Sequence, residues 1–60
     1  MNEYLVEYNN DKSTRILATH YVDGGCFTEF FIVAKDGPDI ERESVAMFKS
    51  DSVVMIKQVG

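Results

Sequence analysis

The chain has a single cysteine, a single histidine, a single proline and no tryptophan. One cysteine excludes a disulfide within the chain. His20 and Cys26 are the only soft ligands, and a structural zinc site wants four. No stretch approaches the roughly 20 consecutive apolar residues of a membrane-spanning helix. Met1-Asn2-Glu3 lacks the positive charge that opens a secretory signal, and the apolar run after it is too short. No Asn-x-Ser/Thr sequon occurs, and a reduced, cytoplasmic setting is expected. Gly24-Gly25 is followed by neither Gly-x-Gly-x-x-Gly nor Gly-Lys-Ser/Thr, so these glycines make a turn and not a phosphate loop.

What is present is β-patterned and apolar on two faces. Val53-Val54-Met55-Ile56 and Val45-Ala46-Met47-Phe48 are apolar at every position, as is Phe30-Phe31-Ile32-Val33-Ala34. A half-exposed strand alternates apolar with polar residues. A chain of 60 residues makes one domain, residues 1–60, and such a domain buries only roughly 60% of the surface its unfolded form exposes. The surplus face must therefore meet a second copy, a partner protein or a strongly curled sheet. With disulfide and metal excluded, a homodimer is the expected support.

Glu3 to Tyr8 reads as a strand with Tyr4, Val6 and Tyr8 on one face. Asn9-Asn10-Asp11-Lys12 reads as a turn, because Asn and Asp tolerate left-handed backbone angles. In the strand from Ser13 to Val22, Ile16, Ala18, His20 and Val22 share one parity, while Arg15, Leu17, Thr19 and Tyr21 share the other. Asp23-Gly24-Gly25 predicts a tight hairpin leading into a strand from Cys26 to Ala34. Residues Asp36 to Glu43 read as a polar, acidic excursion interrupted by Pro38. Val45 to Lys49 and Val53 to Lys57 complete the set, and Gln58 to Gly60 is expected to fray. The fold class is all-β: five mostly antiparallel strands in a curled sheet or small barrel. The alternative is α+β, with Pro38 in the first turn of a helix over about 38–49.

The order of a Tyr-x-Asp-Gly-Gly turn (Tyr21 to Gly25), an aromatic strand, then Ala46-x-Phe48, a short turn and Val53-x-x-Ile56 resembles small SH3-like β-barrel proteins of phages and prophages. In those proteins the short turn is often 3₁₀. The resemblance covers about half the chain, and the excursion from Asp36 to Glu43 departs from it. It implies a compact barrel and a binding role, since many such proteins bind and block a host factor.

Chemistry is sparse. His20 is expected to be partly buried, and Cys26 reads as a small buried apolar residue. A Cys/His pair needs an orienting third group, an oxyanion hole and a pocket, and a barrel this small has little room for one of roughly 300 Å³ or more. No enzymatic activity and no cofactor are expected. Asp36, Asp39, Glu41 and Glu43 lack EF-hand spacing. The net charge of −4, from 10 acidic and 6 basic residues, disfavours nucleic acid and anionic membranes as partners. The tyrosines and phenylalanines are expected in the core or at a protein interface. The expected function is that of a small acidic interaction protein. Its expected partner-binding residues are Asp36, Asp39, Ile40, Glu41 and Glu43 with Val45 and Met47, Ile40 serving as an apolar anchor or as a plug of the core. A nucleic-acid-binding barrel and an accessory subunit of a larger assembly are the alternatives.

Overall fold

In a computed structural model, which describes residues 1–36 and 39–60 and the side chains of 1–34 and 41–60, the chain is all-β. The strands are β1 (Asn2–Tyr8), β2 (Lys12–Ala18), β3 (His20–Asp23), β4 (Phe27–Asp36), β5 (Asp39–Lys49) and β6 (Val53–Gln58), with a 3₁₀ turn at Ser50–Ser52. They form two antiparallel three-stranded sheets, ordered β2-β1-β6 and β3-β4-β5. The all-β expectation holds, but the strands number six and the sheets do not close into a barrel. The helical alternative for 38–49 gives way to β5.

The sixth strand arises at Thr19. The segment expected as one strand from Ser13 to Val22 bends there and passes from the first sheet to the second. Thr19 keeps the joint hydrogen-bonded: its hydroxyl donates to the Phe31 carbonyl (2.9 Å) and accepts the Val33 N–H (2.9 Å). Its own N–H donates to the same carbonyl (3.0 Å), and the Asn2 side-chain amide donates to the Thr19 carbonyl (3.0 Å). The bend also resets the alternation. Ile16 and Ala18 point inward before it, whereas Tyr21 packs inward after it, against Tyr4 and Phe30. His20 and Val22 are thereby turned outward and exposed, which corrects the expectation of a partly buried histidine.

The core lies between the sheets. Tyr4, Val6, Ala18 and Phe30 are buried, and Ile16, Ala46, Phe48, Val53 and Ile56 pack around them. Aromatic rings run through it in contact, from Tyr21 through Phe30 to Phe48 and Tyr8. Offset and edge-on pairs of this kind add to the burial of apolar area.

The turns follow their chemistry. Asn9 and Asn10 adopt positive φ (51° and 65°), as Asn can. In the β3–β4 hairpin Gly25 has φ 90°, and its N–H donates to the Asp23 carboxylate (3.0 Å). The loop is longer than a two-residue turn, with Asp23 opposite Thr28. Cys26 thus falls in the loop and is exposed, contrary to the buried position expected of it. The carboxyl end is not frayed: the Val59 N–H donates to the Glu3 carbonyl (2.8 Å) and the Glu3 N–H to the Gly60 carbonyl (3.0 Å).

The acidic excursion is also corrected. β4 and β5 take in its described residues, with Asp36 opposite Asp39, Ala34 opposite Glu41 and Val33 opposite Arg42. Charged residues suit this position because β5 is an edge strand, where they discourage pairing with other chains.

Candidate functional site

The outer face of the second sheet carries two of the residues that the sequence singled out, Val45 and Met47. Opposite residues of an antiparallel ladder share a face. Val22, Glu29 and Met47 lie in one such row across β3, β4 and β5, and Phe27 lies opposite Lys49. Val22, Phe27 and Met47 are 49%, 50% and 55% exposed, and Val45, the extra residue of a bulge opposite Phe30 and Phe31, is 41% exposed. Val45 and Met47 therefore stand outward, as their parity predicts. Glu41 and Glu43 are exposed farther along β5 but on the opposite parity, across from Ala34 and Ile32, so the register does not bring them onto this face. The side chains of Asp36, Asp39 and Ile40 lie outside the described residues, and with them the choice between anchor and plug for Ile40.

Phe31 shares this outward parity yet is only 3% exposed. Its cover comes from the chain itself. The Arg42 guanidinium sits 4.3 Å from its ring centroid, and the His20 ring meets it edge-on at 4.4 Å. Arg42 also reaches the Glu29 carboxylate at 3.4 Å. Part of the surplus apolar face expected to need a partner is thus roofed by a cation and an imidazole. A cation over an aromatic face contributes about 0.5–1 kcal/mol at exposed sites, while a solvent-exposed ion pair such as Arg42–Glu29 adds little. Arg42→Ala should accordingly cost about 1 kcal/mol and uncover Phe31. Chemical denaturation of the variant measures the first effect and binding of a fluorescent hydrophobic dye the second. Stability and dye binding both equal to the parent would show that the cation does not hold the ring.

At the end of the sheet the β3–β4 loop is tied to the 3₁₀ turn. The Ser50 N–H donates to the Cys26 carbonyl (3.0 Å) and the Ser50 hydroxyl to the Asp23 carboxylate (3.0 Å). This leaves the buried Thr28 hydroxyl to donate to Ser50 Oγ (3.0 Å). An open depression of about 380 Å³ lies beside this tie, lined by Gly25, Cys26, Phe27, Lys49 and Asp51. The structure therefore has more room for a pocket than the length of the chain suggests. His20 is not among the residues lining the depression, so the Cys/His pair weighed in the sequence is not assembled there.

Sequence reasoning missed that His20 and Arg42 meet over Phe31, with Lys49 farther along the same face opposite Phe27. The signal lay in the register of β3 on β4 and of β4 on β5, which requires the bend at Thr19 and the bulge at Val45 to be known. Among the described residues no group of acidic, histidine and cysteine side chains could hold a metal ion, and no helix is long and apolar enough to cross a membrane. In comparisons with protein families, with curated proteins and with solved structures, nothing matches this chain.

Proposed function

We propose that this chain is a non-enzymatic interaction protein that self-associates as a homodimer and engages a protein partner through the outer face of the β3-β4-β5 sheet. The observation that carries this reading is the group of exposed apolar side chains on that sheet: Val22, Phe27, Val45 and Met47. Apolar side chains surrounded by polar ones have the anatomy of an interface centre, and here Lys49, Arg42 and Glu29 supply the surround. The resemblance to phage and prophage proteins supports a binding-and-blocking role toward a host factor. Stacking of single-stranded nucleic acid fits less well, because it needs several free rings along a basic groove. On this face Phe31 is covered and Phe27 is half exposed.

Met47→Lys should abolish capture of any protein retained by the parent chain from a bacterial lysate. Leu17→Lys, on the outer face of the other sheet, should leave capture unchanged. Both positions are exposed, so both variants should fold. Retention of the same proteins by Met47→Lys would defeat the proposed surface. A salt-sensitive gel shift of single-stranded DNA by the parent chain would favour the nucleic-acid reading instead.

A further inference from the structure

The two sheets present four edge strands: β2 and β6 in the first, β3 and β5 in the second. Edge strands carry unpaired backbone groups and are blunted by charges, bulges or shortness. β2 carries Lys12 and Arg15. β6 carries Lys57 and an irregular register opposite Glu7 and Tyr8. β5 carries Glu41, Arg42, Glu43 and Lys49 as well as the bulge at Val45. β3 has neither bulge nor lysine nor arginine: it reads His20-Tyr21-Val22-Asp23 and is regular against β4, and all four residues are exposed. Its protection is its length and the single carboxylate of Asp23 at its end.

We infer that β3 is the homodimer edge, pairing antiparallel with β3 of a second copy about a two-fold axis that passes beside Val22, so that Val22 faces its own symmetry mate. This rests on the self-association proposed above and specifies how it is made. A closed two-fold contact uses the same patch on both chains and stops at two. The product is a six-stranded sheet, β5-β4-β3 continued by its symmetry mate. Val22 then comes near the centre of the outer face, and the Phe27 and Met47 regions of both copies lie on the same side. A four-residue strand buries less than the roughly 1,600 Å² of a standard interface, so the association is concentration-dependent.

The test compares two exposed lysine substitutions on the same face by sedimentation over a concentration series. Val22→Lys, on β3, places like charges across the two-fold axis and should lower the association constant by roughly fivefold. Met47→Lys, on β5, is far from that axis and should dimerise as the parent does. Amide exchange at Tyr21 and Asp23, whose N–H groups alternate with those bonded to β4, should slow in the parent as concentration rises, a readout independent of any variant. Loss of the dimer in both variants would show face-to-face packing and overturn the edge assignment. A dimer indifferent to Val22→Lys, with unprotected β3 amides, would overturn it while leaving self-association standing. A parent chain that stays monomeric throughout would overturn both.

Discussion

Replacing Phe30 with alanine is expected to unfold much of the protein at room temperature. The ring is fully buried between the sheets and in contact with Tyr4, Tyr21 and Phe48. Truncating a buried phenylalanine costs about 3–5 kcal/mol, part lost transfer energy and part cavity. A chain of 60 residues has a total stability of about 3–9 kcal/mol at the usual yield per residue. The substitution therefore removes a large fraction, and in the lower half of that range nearly all. Urea denaturation followed by circular dichroism measures it. A loss below about 1 kcal/mol would mean that the core is centred elsewhere, since surface changes usually stay within about 0.5 kcal/mol.

The next largest effect is expected at Thr19. Valine has nearly the same shape but no hydroxyl. Thr19→Val should leave the Val33 N–H without its acceptor and remove one of the two donors to the Phe31 carbonyl. Leaving such a group unsatisfied costs about 1–3 kcal/mol, and Thr19→Ser should recover most of it. The local signature is faster amide exchange at Val33 in the valine variant alone. Equal stability of the valine and serine variants would show that water replaces the hydroxyl at no cost.

These two positions also mark what could and could not be read in the sequence. Alternation along β1 placed Tyr4 and Val6 inside, because that strand is paired on both sides and regular over those residues. The turns were legible because Asn9, Asn10 and Gly25 carry their backbone preference in their own chemistry. β5 keeps Val45 and Met47 outward, as their parity predicts. By contrast, parity counting failed beyond Thr19, where a bend exchanged the faces of His20 and Tyr21. It also said nothing of Phe31, whose burial depends on an arginine eleven positions later that the β4–β5 register carries to its ring. The extent of β4 and β5 was missed for a related reason. Asp36 to Glu43 has loop-like composition, but an edge strand tolerates charge that a central strand does not. The candidate surface was thus half visible: its apolar members follow from local pattern, its cationic members only from pairing between distant segments.

The pairing of β1 with β6 joins Tyr4 to Gln58, across nearly the whole described chain. The first sheet cannot be completed until the last strand has arrived, whereas β3, β4 and β5 are consecutive and can assemble by local hairpins. Contacts between segments far apart in sequence slow folding, because the loop must close before any contact rewards it. The β1-β2 hairpin precedes the second sheet in the chain, so Tyr4 can meet Phe30 early, and only the side of the core formed by Val53 and Ile56 waits for the last strand. In that interval the edge of β1 that β6 later takes, from Tyr4 to Tyr8, is open to a chaperone or a second nascent copy.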